Sequence, residues 1–326
     1  MVSEPDAADA LAYVDQCSNW GRWGADDQLG TLNLIAPEHR VAAAQLVTAG
    51  RVVSCSRDLG TAFGDPASAA QMYWVSTGQV ATPVEGLPPT KFGRGDVFSA
   101  VEFFGLVFHG PNVTHLDTPA HLFWKGRLYN DRPAGLVTSE FGATWCPVTE
   151  MAEGIVGRGV LLDVPRAEGT DALEPGRPVM PEDLERTATA QGVTVGPGDI
   201  VLLRTGRWHP GTEEGASAKA VSDDPSRWHA MAGWHAACMP WLHERDVAMI
   251  GSDVPQEVRP APYPEFAAPV HIVGLVAMGM PLIDNCDLED LGRACAELGR
   301  WEFQFVVAPL RIVGGSGSPV NPLAML

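Results

Sequence analysis

Residues 109–121 read His-Gly-Pro-Asn-Val-Thr-His-Leu-Asp-Thr-Pro-Ala-His, residue types that bind divalent cations and move protons at neutral pH. His115 and Asp117 stand two apart. In an extended segment that spacing turns both side chains to one face. An imidazole and a carboxylate so placed can grip a single Zn²⁺ or Mn²⁺. His121 follows Pro119, whose ring fixes φ and turns the chain away from helix. From there it can return towards the cation without binding it, which suits a proton shuttle. The competing reading is incidental clustering, since motif matches carry false positives.

The piece Thr-His-Leu-Asp-Thr-Pro-Ala-His at 114–121 resembles the core of the HxGTHxDxPxH signature of the cyclase family of metal-dependent hydrolases. That family includes bacterial kynurenine formamidase, isatin hydrolase and trans-dienelactone hydrolase. The resemblance runs from about Trp20 onward. It implies that His115 and Asp117 are metal ligands and that His121 is the catalytic histidine. One position departs from the pattern. The family's first ligand histidine stands four residues before the second, and here that place holds Pro111, which has no donor atom. The nearest histidine is His109. Either His109 takes the role through a different backbone path, or the site has one ligand fewer. Residues 269–271 and 281–288, the latter Pro-Leu-Ile-Asp-Asn-Cys-Asp-Leu, resemble the family's C-terminal part. There a histidine opens a helix and a carboxylate follows in a Glu-Asn-x-Asp-Leu run. The resemblance makes His271 and Asp284 further ligands, with Asp in place of Glu. Taken alone, Asp284 also suits a helix cap ahead of 287–298.

The elements around these residues follow from pattern. Apolar runs at 157–164 and 199–204 predict strands buried on both faces. Shorter strands are expected at 51–56, 99–108, 247–252 and 303–313. Asp253 follows the strand at 247–252, at a strand end, where sites in α/β proteins tend to lie. Helices are expected at 37–49, from 181, at 227–244, at 272–280 and at 287–298. Residues 61–91, rich in Gly, Pro, Ala and Ser, read as a lid or binding loop, or as an unresolved hairpin. Residues 205–228 read as a surface excursion. Strands and helices alternate irregularly, so the expected class is α/β with a mixed sheet. The resemblance implies the swivelling β/β/α arrangement, a curved mixed sheet flanked by helices. It also implies one domain over 19–326 behind a leader at 1–18.

A chain of 326 residues is long enough to bury a large core. Its net charge of −18 argues against nucleic acid or an anionic membrane as partner, because phosphate binding needs Lys and Arg clusters. Six scattered cysteines without a CxxC pair suggest reduced thiols in a cytoplasmic protein. No stretch approaches the roughly 20 apolar residues that span a bilayer.

The reading that follows is a hydrolase using Zn or Mn to open an amide, lactam or lactone bond of a small cyclic or acylated substrate. Trp20, Trp23, Phe123 and Trp124 either line an apolar pocket or pack on the core. His235 is a substrate or outer contact. Two alternatives stand beside it. One is a cyclase or dehydratase working by acid–base chemistry with a degenerate or absent metal site. The other is a silent binding protein on the same scaffold. The resemblance further implies a homodimer or homotetramer.

Overall fold

The computed structural model describes residues 7–59, 70–76, 101–212, 215, 230–263 and 266–326. A nine-stranded, curved mixed sheet forms its centre, flanked by helices. In chain order the strands are β1 (Val52–Ser54), β2 (His115–Asp117), β3 (Ile155–Asp163), β4 (Ile200–Arg204), β5 (Met249–Ser252), β6 (Leu282–Asp284), β7 (Glu302–Val307), β8 (Gly317–Pro319) and β9 (Leu323–Met325). Across the sheet they lie in the order β1-β9-β7-β3-β4-β5-β6-β2-β8. β3 to β6 run parallel to one another. Antiparallel strands extend the sheet on both sides.

β4 reads Ile-Val-Leu-Leu-Arg and is buried at every position, because both faces of the sheet are covered. Its alternate side chains enter different cores. Val201 and Leu203 join Val160, Leu162, Ile250 and Leu282 beneath Leu184 and Leu242, which belong to helices Pro181–Gln191 and Cys238–Glu244. Ile200 and Leu202 join Leu161, Met249 and Ile283 against Leu291 and Ala294 of helix Glu289–Leu298. Each such side chain contributes roughly 1.5–3 kcal/mol by leaving water. β7 alternates between buried and half-buried positions.

The expected strands at 157–164 and 199–204 are β3 and β4. Three expectations change. The helix foreseen at 227–244 is confined to Cys238–Glu244. Pro240 sits in its first turn, where no amide donor is needed, and ahead of it Gly233–Trp234 is extended and pairs with Pro178–Val179. The segment at 272–280 is helical as expected, but over Ile272–Met278 and in the π form. The strand foreseen at 303–313 stops at Val307, two residues short of Pro309, which has no ladder donor. Most of the loop foreseen at 61–91 lies outside the described residues. Within it, Ala70–Ser76 pairs antiparallel with Val101–Leu106. The surface excursion foreseen at 205–228 is instead buried over residues 205–208, and residues 213–214 and 216–228 lie outside those described. No helix among the described residues is long and apolar enough to cross a membrane.

Candidate metal centre

β2 lies between β6 and β8, and this placement builds the site. In the β2–β6 pairing His115 stands opposite Asp284, and Asp117 opposite Leu282. Side chains alternate along a strand. Leu116 and Ile283 therefore enter the core on one face, while His115, Asp117 and Asp284 share the other. His271 ends the short helix Pro269–His271, which continues into the π-helix, and every residue of both is buried.

The four groups converge. His115 Nε2 is 3.6 Å from Asp117 Oδ1 and 3.9 Å from Asp284 Oδ2. His271 Nε2 is 3.7 Å from Asp117 Oδ2 and 3.5 Å from Asp284 Oδ2. Their partners assign the tautomers. His115 Nδ1 is 2.7 Å from the Val113 carbonyl, which only accepts, so Nδ1 carries the hydrogen. His271 Nδ1 lies 2.7 and 2.8 Å from the two Glu257 oxygens and donates to that carboxylate. The Nε2 of His115 thus offers a lone pair to carboxylate oxygens, which repels until a cation enters, and the Nε2 of His271 becomes a donor to a cation once its proton is lost.

Asp117 makes the same demand. Both of its oxygens are buried and neither accepts a hydrogen bond among the described residues. An ionised carboxylate left so is costly without a partner. Donor atoms each about 2.0–2.2 Å from one ion stand about 2.8–3.6 Å apart at ordinary ligand angles. The observed separations are close to that range, and two donor groups that share Asp117, His109 with His115 and His271 with Asp284, each fit a divalent cation. Burial by itself would raise the Asp117 carboxyl, but His115, then His109 and His271, outweigh it and hold it well below the usual range. Burial would lower His271, yet Glu257 and then Asp284 raise it well above an ordinary histidine. Proton and metal therefore compete for its Nε2.

His109 and His121 complete the cluster. His109 Nδ1 is 2.9 Å from Asp117 Oδ1, and its ring stacks on His121 at 4.0 Å. His121 Nε2 is 3.7 Å from Asp117 Oδ2. Burial pushes His121 down to about 4, against the pull of Asp117. The ring is neutral at pH 7. Asp284 is the last residue of β6 and not a helix cap, since the next helix opens at Glu289.

The sequence singled out Asp253 among the supporting groups and missed the others. Glu257 orients His271. Gln256 Nε2 donates to Asp284 Oδ1 at 2.8 Å, which leaves Oδ2 for the cluster. Asn285 Nδ2 donates to the carbonyls of Gly110 and Val113. Asp253, at the strand end, accepts from Thr205 and Gly206 and so holds the loop that carries Arg207. Nothing local marks these residues, apart from the position of Asp253 after its strand.

The expected substrate contacts divide. Trp124 is half-buried and packs against Phe266 with ring centroids 5.1 Å apart and planes tilted by 51°, in a cluster that includes Ile272, the neighbour of His271. His235 is buried, with Nε2 3.2 Å from the Tyr263 hydroxyl of that cluster. Phe123 is exposed. Trp20 donates to the Val276 carbonyl at 2.7 Å, at the far end of the π-helix, and Trp23 lies under the Arg22 guanidinium.

Residues 57–256 match the family model described as a putative cyclase. A crystal structure described as a novel cyclase superposes with a TM-score of 0.81 at 30% identity, over 96% of this chain and 99% of that one. Isatin hydrolase A from Labrenzia aggregata, bound to benzyl benzoate, gives 0.55 at 19% identity, over 88% and 98%. An isatin hydrolase bound to the product analogue thioisatinate gives 0.55 at 18%, over 89% and 99%. With the two isatin hydrolases the likeness is one of fold. No curated protein matches the chain.

Proposed function

This chain belongs to the cyclase family, and from that premise we propose that it is a metal-dependent hydrolase opening an amide, lactam or lactone bond in a small cyclic or acylated substrate. The observation that carries the reading is Asp117, a buried carboxylate without a hydrogen bond among the described residues, faced by Nε2 of His115 and Nε2 of His271. His115, Asp117, His271 and Asp284 would hold the ion, and this mixture of nitrogen and oxygen donors suits Zn or Mn. When bound, a divalent cation polarises a carbonyl and acidifies water.

His121 performs the proton work. Its ring is neutral at pH 7, lies beside Asp117 without an assigned ligand role, and is partly open to solvent. It takes the proton of the attacking water and returns it to the departing nitrogen or oxygen. The Asp117 carboxylate favours the imidazolium that exists between the two transfers. Trp124 and Phe266 supply an apolar wall for a ring or acyl group. Trp20 ties the N-terminal strap to the π-helix through the Val276 carbonyl.

The test is turnover by wild type and His121→Ala, loaded with Zn²⁺ or Mn²⁺, on an arylformamide, a cyclic amide and a lactone. Loss of a proton shuttle should lower kcat by about 10²–10⁴-fold. Equal rates for the two proteins, or no hydrolysis by wild type, would sink the reading.

A further inference from the structure

We infer that His109 binds the cation through Nδ1, taking the ligand place that Pro111 leaves without a donor atom. The inference rests on the metal-dependent reading above. Its first support is geometric. Nδ1 of His109 is 2.9 Å from Asp117 Oδ1, yet both atoms are buried and neither is in a hydrogen bond among the described residues. A ring nitrogen this close to a carboxylate oxygen, yet in no hydrogen bond with it, is free to give its in-plane lone pair to an ion beside that carboxylate. His115 brings its own donor atom there, since the donor atoms of His109, His115 and Asp117 lie within 4.8 Å of one another.

The backbone shows how a histidine two residues early reaches the site. Gly110 has φ +146°, a conformation that side chains avoid, and Pro111 follows with φ set by its ring. Asn285 then fixes the loop. Its Nδ2 donates to Gly110 O at 2.7 Å and to Val113 O at 3.1 Å. Val113 O is also the acceptor that orients His115. One side chain therefore pins both ends of the link between the two imidazoles. Arg207 Nη1, donating to Asn285 Oδ1 at 3.0 Å, keeps that amide from flipping.

Space and tautomer agree. A Cβ on Gly317 would stand 3.0 Å from His109 Cε1 and 2.4 Å from Leu116 O, so β8 is open where the His109 ring lies. His109 Nε2 is 3.4 Å from the Ser316 hydroxyl. A hydrogen on Nε2 shared with that hydroxyl leaves the lone pair on Nδ1. The donors then form two groups that share Asp117: Nδ1 of His109 and Nε2 of His115 on one side, and His271 and Asp284 on the other. His109 is then the one ligand that uses Nδ1.

Long-range ¹H–¹⁵N correlation on ¹⁵N-histidine protein loaded with Zn²⁺ reads each ring nitrogen separately. The expected result is a metal-shifted Nδ1 with a protonated Nε2 for His109, and the reverse pattern for His115 and His271. In parallel, Zn²⁺ affinity by chelator competition should fall at least about 100-fold in His109→Gln, no less than the loss known for an outer partner of a ligand. A protonated or metal-free Nδ1 in the loaded wild type overturns the inference and leaves the hydrolase reading standing. So does a His109→Gln affinity within about threefold of wild type. Wild type that takes up no Zn²⁺ overturns both. If the variant does not fold, the wild-type spectrum decides alone.

Discussion

At the scale of single residues, His121 shows how burial keeps an imidazole neutral beside a carboxylate. Its ring is pushed down to about 4 by loss of water, while an unfolded chain would titrate near 6.5. The sign follows from proton uptake. Below pH 6.5 the unfolded chain binds a proton that the folded ring refuses until about pH 4. The stability linked to His121 is thus present above 6.5 and lost as pH falls to 4. At about 1.36 kcal/mol per pH unit the loss is about 3 kcal/mol. Urea unfolding of metal-free wild type and His121→Asn at pH 7 and pH 4 should show wild type losing more by about that amount. Equal losses would contradict this account of the ring. Residue types were legible here, because His115, Asp117 and His121 belong to one short run. Their partners were not. Glu257 lies 14 residues from His271 and differs in no local way from any acid in a loop.

At the scale of elements, the π-helix Ile272–Met278 carries His271 into place and needs its C-terminal carbonyls satisfied. The strap after helix Ala7–Gln16 does this. Trp20 Nε1 donates to Val276 O at 2.7 Å, the Asn19 amide to Ala277 O at 3.0 Å, and Asn19 Nδ2 to Met278 O at 3.0 Å. Asn19 is buried. Asn19→Ala leaves the Met278 carbonyl without that donor and should cost about 1–3 kcal/mol. The check is a lower denaturant midpoint with an unchanged m-value. Zn²⁺ affinity should stay within about threefold, because Glu257 still orients His271. Residues 272–280 were legible as helical from their apolar run. The π form was not, because it depends on packing against distant segments, with Ala10, Tyr263 and Phe266 beside Ile272.

At the scale of the whole molecule, the metal site exists only when β2, β6 and the helix before it are assembled. His115 and Asp284 meet as cross-strand neighbours from distant parts of the chain. The unfolded chain cannot hold them together, so an ion binds the folded state and stabilises it by linkage. At a thousandfold excess over Kd the gain is about 4 kcal/mol. For a chain of this size that corresponds to about 8 °C in Tm, at about 2 °C per kcal/mol. Zn²⁺ or Mn²⁺ should produce this shift in wild type, EDTA should remove it, and His115→Ala should lack it. The variant matters because a chain of net charge −18 also attracts cations without a site. A shift of equal size in His115→Ala would assign the effect to that general attraction.

The amino-acid order alone determined what depends on neighbours along the chain. It set the buried strands at 157–164 and 199–204, because continuous apolar runs suit a sheet covered on both faces. It also set the shared face of His115 and Asp117, because side chains two apart in a strand point the same way. The tertiary structure decided the rest. It placed Asp284 opposite His115, supplied Glu257, Gln256 and Asn285 as supports, and turned His109 Nδ1 towards Asp117. Each of these is a contact between segments far apart in the chain. Such contacts leave no periodic trace in the order of residues and arise only when the strands come into register.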